Sequence, residues 1–119
     1  MRNMSFPMTT EQIRNGKKTV TRRLGWKFLK PGDVVMACEK CQGLKKGEKV
    51  KKIGPIRVVS VRREGLSEII NYWYWVNEAE KEGFPGIGTW AFILLFCAAN
   101  KCSPGDQVTR IEFEYMEEW

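Results

Sequence analysis

The residue types that could do chemistry are densest in an eight-residue stretch at positions 16–23. This stretch has four cationic side chains and two threonine hydroxyls but no acidic residue, namely Lys17, Lys18, Thr19, Thr21, Arg22 and Arg23. Because β-branched side chains suit a pleated sheet, the Thr-Val-Thr sequence at its centre predicts an extended backbone. Two interpretations follow: an exposed basic strand, the first of the fold, or a site where positive charge meets a nucleophilic hydroxyl.

The composition is that of a globular domain with a basic surface. The 119 residues are 43% hydrophobic and 29% charged, which is enough for one hydrophobic core and predicts a single domain over residues 1–119. The net charge of +6 favours anionic partners, above all nucleic acid. Since the sequence has neither a long apolar run nor an apolar signal core, we predict a cytoplasmic protein with no membrane partner.

Four cysteines and the absence of histidine limit the available chemistry. In a reducing cytoplasm the cysteines are expected to be thiols. The pair Cys38 and Cys41 has the spacing of half a zinc knuckle, and Cys97 with Cys102 could supply the other half. The alternative, which we favour, is that Cys38 and Cys97 are small buried hydrophobes and that no cofactor is needed. Because the sequence has no histidine, histidine-based triads and histidine–metal catalysis are excluded.

Turn and capping signals divide the chain into short elements. A helix is predicted over residues 9–15, begun by a threonine N-cap and ended by a glycine, with Met8 and Ile13 as its buried contacts. The other predicted elements are the basic strand ending near residues 24–26, a Pro-Gly turn at 30–33, strands at 33–38 and 56–62, a lysine-rich loop at 39–52, a helical turn at 64–70, a short acidic helix at 77–82, a buried helix at 89–100 with a threonine N-cap, and a half-buried strand at 107–115.

The order of these elements predicts the fold class. Strands outnumber long helices, and the helices interrupt the strands rather than alternate with them. We therefore expect an α+β fold, with a small, partly closed β-barrel and short flanking helices.

Two further features could contact a ligand. The sequence Tyr-Trp-Tyr-Trp at residues 72–75 has four large rings in a row, which one strand or helix cannot bury together. These rings either stack on bases or pack under a neighbouring loop. The lysines of the 39–52 loop, including Lys45 and Lys46, either solvate the surface or contact phosphate.

The chain resembles an ASCH domain, a small β-barrel family within the PUA-like group, over nearly its whole length. Four segments carry the resemblance in the expected order: Gly-Lys-Lys-Thr-Val-Thr-Arg-Arg at 16–23, Lys-Pro-Gly-Asp at 30–33, Glu-Gly-Phe-Pro at 82–85 and Val-Thr-Arg-Ile-Glu-Phe at 108–113. The lysine-rich loop and the late cysteine-bearing helix are most similar to the phage and prophage branch of that family.

This resemblance implies a PUA-like barrel that binds RNA or a modified nucleoside. Some small bacterial ASCH proteins are amidohydrolases that remove the acetyl group from N4-acetylcytidine, and their Lys, Thr and Glu triad would fall on Lys18, Thr21 and Glu82. Another member of the family is a ribonuclease, so the resemblance does not fix one activity. A non-catalytic RNA-binding module is the further alternative.

The residue types allow amide hydrolysis without histidine. The Thr21 hydroxyl becomes a good nucleophile once a base removes its proton, and a lysine with a lowered pKa can act as that base. The positive charges of Lys17, Arg22 and Arg23 are expected to lower the pKa of Lys18. Lys18 and Thr21 lie three residues apart, so a regular strand would point them to opposite faces and a bend or bulge is required between them.

The residue types also suggest the remaining roles in this reaction. Glu82 would protonate the departing cytosine nitrogen, with Glu80 or Glu78 as the alternative, and Arg23 would hold the developing oxyanion. Side chains of the basic stretch, the loop and the aromatic cluster would bind the substrate or nucleic acid, and these are Lys17, Arg22, Trp26, Lys45, Lys46, Tyr72 and Trp73.

Overall fold

A mixed five-stranded sheet forms the frame of the protein. The computed structural model describes residues 1–41, 43–71 and 78–117, and its elements are β1 (Asn3–Ser5), α1 (Thr10–Arg14), β2 (Val20–Arg23), β3 (Val34–Cys38), β4 (Lys52–Gly65), a 3₁₀ helix (Leu66–Asn71), α2 (Glu78–Lys81), α3 (Thr89–Asn100) and β5 (Gln107–Tyr115). This confirms the predicted α+β class. No helix in these ranges is both long and apolar enough to cross a membrane.

The strand order leaves the sheet open between its two edges. The order is β1-β3-β4-β5-β2, with β1 parallel to β3 and the other neighbours antiparallel. β1 and β2 are therefore the edge strands, and among the described residues no backbone ladder joins them. One side-chain hydrogen bond spans the gap, from Arg23 Nη2 to the carbonyl oxygen of Ser5 at 2.7 Å. The sheet is thus not closed into a barrel by its backbone.

Two hydrophobic clusters form the core. The first is built mainly on the sheet and α1, from Met4, Phe6, Ile13, Leu29, Val35, Ala37, Ile56, Val58, Ile111 and Phe113. The second joins the 3₁₀ helix, α2 and α3 to the start of β5, through Leu66, Ile69, Ala79, Phe92, Ile93, Phe96 and Val108. The sheet therefore carries apolar contacts on both faces near β5.

This double coverage corrects the prediction for the last strand. β5 has the predicted bounds, but its residues from Val108 to Ile111 are all buried, including Thr109 and Arg110. Side chains alternate along a strand, so Val108 reaches the second cluster while Ile111 reaches the first. The expectation of one polar face is wrong for this half of β5 because the helical elements cover that face.

The helices lie at the predicted positions, but their burial and capping differ from the prediction. In α1, Ile13 is fully buried as predicted, but Met8 is 49% exposed because it precedes the helix and lines the rim of a cavity. α3 has the predicted bounds, although its N-cap is Gly88 rather than a threonine. It is also not buried all round, since Trp90 and Leu94 face solvent.

The turn and hairpin signals in the first half of the chain are confirmed. In the turn at residues 30–33, the backbone N–H of Lys30 donates to Asp33 Oδ2 at 2.9 Å, and Gly32 adopts a φ of 94°. The lysine-rich loop joins the antiparallel strands β3 and β4. The basic stretch is not the first strand, however, because the short strand β1 precedes it and pairs with β3.

Neighbouring positions of α3 give a matched test of this packing. Ile93 is fully buried in the second cluster, whereas Leu94 is 61% exposed, and their side chains are isomers. We expect Ile93→Ala to lower the free energy of unfolding by about 2–5 kcal/mol. Leu94→Ala should change it by less than about 0.5 kcal/mol. Urea denaturation measures both, and equal losses would contradict the orientation of α3.

Candidate active site

The segment before β2 bends Lys18 toward the same cavity as Thr21. After α1, the backbone N–H groups of Lys17 and Lys18 both donate to the carbonyl oxygen of Gln12, at 2.9 and 3.3 Å. Regular strand geometry begins only at Val20, so the alternation of strand side chains does not apply to Lys18. The Tyr115 hydroxyl fixes this segment by donating to the Lys18 carbonyl oxygen at 2.6 Å. The bend required by the three-residue spacing is therefore present.

All four predicted catalytic residues line one cavity of about 330 Å³, and Arg22 also contributes to its wall. Lys18, Thr21 and Arg23 approach it from the β2 side, and Glu82 from the end of α2. Much of the remaining wall is apolar and aromatic, formed by Phe6, Phe84, Phe92, Leu95 and Phe96. The cavity thus combines a nucleophile, a potential base and a carboxylate with a surface suited to a flat organic ligand.

Lys18 and Glu82 form a buried ion pair. Lys18 Nζ lies 3.0 Å from Glu82 Oε1 and also donates to the Glu82 carbonyl oxygen, and each side chain is only 4% exposed. Burial is the main cause that lowers the pKa of Lys18; the charges of Arg23 and Arg22 lower it further, while Glu82 opposes them without reversing the shift. Glu80 is exposed, so the carboxylate beside Lys18 is that of Glu82.

The turn after α2 places Glu82 at the wall of the cavity. α2 ends at Lys81, and Gly83 has a φ of 100°, a conformation that side-chain-bearing residues rarely adopt. A Cβ added at Gly83 would lie 3.2 Å from Gln12 Cγ, and Gln12 Nε2 donates to the Gly83 carbonyl oxygen at 3.0 Å. Helix α1 therefore fixes the backbone that carries Glu82.

Arg23 is held beside the Thr21 hydroxyl. Its Nε donates to Thr21 Oγ1 at 3.1 Å, and its guanidinium carbon lies 4.7 Å from the centre of the Phe6 ring. Burial lowers the pKa of Arg23 to about 10, with the charge of Glu82 opposing that shift, so the side chain remains a cation at neutral pH. Its Nη1 makes no hydrogen bond within the described ranges, which leaves a charged donor for a ligand oxygen.

Arg22 points away from Thr21 into a network of buried charges. Its guanidinium contacts three carboxylates: Glu82 Oε2 at 2.9 Å, Glu64 Oε2 at 3.4 Å, and Glu78. Burial alone would lower the pKa of Arg22, but these carboxylates outweigh it and raise the pKa. Arg110 completes the network, with its Nε 2.9 Å from Glu78 Oε1. The buried cations Lys18, Arg22 and Arg110 thus share three carboxylates, two of which Arg62 and Lys81 also contact from the partly exposed side.

The network gives Arg22 a structural role and adds residues that the sequence did not reveal. The Arg22 side chain is 0% exposed and bound by carboxylates, so it positions Glu82. It also lines the cavity, and its contact with a substrate stays a prediction. Arg22 and Arg110 lie directly opposite each other on β2 and β5. Like charges in that arrangement need intervening acids, and Glu64 and Glu78 provide them. Only the strand register could have signalled this need.

The other predicted binding residues are dispersed. Lys17 is exposed beside the bend, and Lys45 and Lys46 are exposed on the β3–β4 loop. Trp26 is partly buried and lines a second cavity, which shares Arg23 with the first. Tyr72 and Trp73, with the rest of the aromatic cluster, lie outside the described residues.

The four cysteines form two separate pairs of free thiols. Cys38 lies beside Cys41, and Cys97 beside Cys102. Burial raises the pKa of Cys38 and of Cys102 to about 11. In the part of the chain that the structure describes, no three metal-ligating side chains are close enough to hold an ion. The four-thiolate zinc site allowed by the spacing is therefore not assembled.

Comparisons with known proteins found no matching family model, no similar curated protein and no similar solved structure.

The buried network predicts an acid-sensitive stability that depends on Glu78. The hydrogen bonds and charges of Arg110 and Arg22 outweigh burial and lower the pKa of Glu78 from 4.5 to about 2. Ionised Glu78 therefore stabilises the fold fully above pH 4.5, and this contribution is lost as the pH falls toward 2. Removing its charge should cost about 3–5 kcal/mol at neutral pH, because buried Arg110 loses its carboxylate partner and Arg22 loses one of three.

Glu80→Gln, on the exposed side of the same helix, is the matched control. Thermal unfolding from pH 2 to pH 7 should show a strong loss of stability in Glu78→Gln and a flatter pH dependence than in the wild type. Glu80→Gln should follow the wild type. A Glu78→Gln variant as stable and as acid-sensitive as the wild type would contradict the network.

Proposed function

We propose that this protein is an amidohydrolase that removes an acyl group from the N4 amine of a cytosine nucleoside. The observation that carries the proposal is the convergence of buried Lys18, Thr21 and Glu82 with half-buried Arg23 on one cavity. Burying polar and charged side chains costs free energy, and a hydroxyl, a lysine with a lowered pKa and a carboxylate at one cavity are the groups that acyl transfer needs. The substrate class comes from the resemblance to ASCH amidohydrolases.

In the first step, Thr21 becomes acylated. Neutral Lys18 accepts the hydroxyl proton as Thr21 Oγ1 attacks the carbonyl carbon of the amide. The carbonyl oxygen becomes an oxyanion, which the guanidinium of Arg23 would stabilise, since its Nε already contacts Thr21 Oγ1. The lowered pKa of Lys18 supports this step, because it increases the neutral fraction that can accept a proton.

In the second step, the amine leaves and water restores the enzyme. The carbon–nitrogen bond breaks, and the proton held by Lys18 passes to the departing nitrogen, directly or through the Glu82 carboxylate 3.0 Å from Nζ. Water then attacks the threonine ester, with Lys18 again accepting a proton, and the carboxylic acid is released. The Thr21 hydroxyl is regenerated, so one amide and one water yield one amine and one acid.

The shape of the cavity supports a nucleobase-sized substrate. Its volume of about 330 Å³ lies at the lower end of the range for small-molecule sites. Phe84, Phe92 and Phe96 form consecutive tilted ring contacts, with centroids 6.0 and 6.2 Å apart, along one wall. Such a wall can hold a flat base while its acylated amine points toward Thr21.

The open sheet is also compatible with a more specific fold. We infer an ASCH-like member of the PUA-like group whose barrel is partly closed between β1 and β2. The hydrogen bond from Arg23 to Ser5 supports this, since it joins the two edge strands where backbone pairing is absent from the described residues. A cytoplasmic location is also proposed, because free thiols at all four cysteines suit a reducing compartment.

The direct test is hydrolysis of N4-acetylcytidine, followed by chromatography of released cytidine. Thr21→Ala should lower kcat by at least about 10³-fold, because removing a nucleophile from a catalytic unit abolishes most of its rate. Thr19→Ala is the matched control, since Thr19 is two residues away and does not line the cavity. It should retain wild-type turnover. Absence of cytidine with the wild-type protein, or equal turnover by Thr21→Ala, would overturn the proposal.

The pH profile tests the role of Lys18 separately. The rate should rise with pH through the pKa of Lys18, at a midpoint below the 10.5 of an ordinary lysine. Because the Glu82 carboxylate raises the pKa of Lys18, Glu82→Gln should move this midpoint to lower pH in whatever activity remains. Glu80→Gln should leave it in place. A midpoint that Glu82→Gln does not move, in a folded variant, would exclude Lys18 as the titrating base.

A further inference from the structure

A second cavity of about 430 Å³ adjoins the candidate active site. Arg23 and Asn100 line both cavities, so the second begins where the first ends. Its other walls are Arg2, Trp26, Phe28 and the backbone turn between β2 and Trp26. It has two arginines and no carboxylate among its lining residues, which favours an anionic ligand.

Two aromatic rings form a platform in this second cavity. The Trp26 and Phe28 rings have centroids 5.4 Å apart with planes tilted by 35°. The guanidinium carbon of Arg2 lies 4.4 Å from the centre of the Phe28 ring. Phe28 is nevertheless 51% exposed. Unpaired bases stack on aromatic rings and on arginine planes, and here the Arg2 guanidinium lies over the half-exposed Phe28 ring.

The backbone that carries this platform is held in a strained conformation. Trp26 has a φ of 59°, which is rare for a bulky residue and costs about 1–3 kcal/mol. Neighbouring strands fix the preceding turn: Thr109 Oγ1 donates to the Gly25 carbonyl oxygen at 2.6 Å, and Arg63 Nη1 donates to that of Leu24 at 3.0 Å. The indole therefore has a fixed position before any ligand binds.

The geometry points to a subsite for the nucleotide next to the acylated one, so that the substrate is an RNA segment rather than a free nucleoside. In this arrangement the acylated cytosine occupies the first cavity, the linking phosphate lies near Arg23 and Arg2, and the neighbouring base stacks on Phe28. This inference rests on the proposed function, because it takes the first cavity as the place of reaction.

The test compares N4-acetylcytidine, its 5′-monophosphate and a trinucleotide with N4-acetylcytidine at its centre. The trinucleotide should have a kcat/KM about tenfold or more above that of the nucleoside, since stacking of one base is worth that factor. Phe28→Ala should remove most of this advantage. Trp90→Ala is the matched control, because Trp90 is 52% exposed on α3 and lines neither cavity. It should keep the wild-type ratio.

Each other outcome separates this inference from the proposed function. Equal kcat/KM for nucleoside and trinucleotide would overturn the subsite and leave the hydrolase intact. A monophosphate as good as the trinucleotide would overturn base stacking in favour of a phosphate contact alone. If no substrate is hydrolysed, the proposed function fails. Binding of an unmodified trinucleotide, measured by anisotropy, then decides whether the subsite exists. Weaker binding by Phe28→Ala than by Trp90→Ala would support it, and equal binding would overturn it.

Discussion

The sharing of one buried carboxylate between two cations is the interaction on which the site depends. Glu82 contacts Lys18 with one oxygen and Arg22 with the other, in surroundings where all three side chains are almost fully buried. Buried charges are tolerated only when paired and hydrogen-bonded. This requirement fixes α2 beside the edge strand β2 and ties it through Glu78 to Arg110 on β5. The same contacts hold Lys18 at the cavity that Thr21 also lines, so the stability of the fold and the proposed chemistry depend on the same ion pairs.

Arg23 connects this network to the rest of the molecule. It approaches Thr21 with Nε, reaches across the open edge of the sheet to β1 with Nη2, and separates the two cavities. Arginine suits these contacts because its planar guanidinium offers several donors in fixed directions. In the proposed reaction, the opening between β1 and β2 is thus the place where substrate, oxyanion and neighbouring nucleotide meet. A sheet closed by backbone pairing would leave no such opening.

Local signals in the sequence predicted the local structure well. The Pro-Gly turn at residues 30–33 and the bounds of α3 follow from turn chemistry and helix length, which act over a few residues. The prediction that Lys18, Thr21 and Glu82 share one site comes from the resemblance to ASCH domains. The remaining partners could not be predicted, because Glu64, Glu78 and Arg110 meet Arg22 only once the register of β2 on β5 is known. For the same reason, the sequence predicts a substrate contact for Arg22 but does not indicate its place in the network.

The proposed reaction requires that burial let Lys18 lose its proton at the cavity that Thr21 also lines. Heteronuclear NMR of the assigned Lys18 side chain, followed through a pH titration of the folded protein, measures this directly. The account predicts that Lys18 titrates below the 10.5 of an ordinary lysine, while the fold remains intact. A Lys18 that stays protonated to pH 10.5 or above would contradict it. In that case the pair with Glu82 would be a structural ion pair, and Thr21 would have no base.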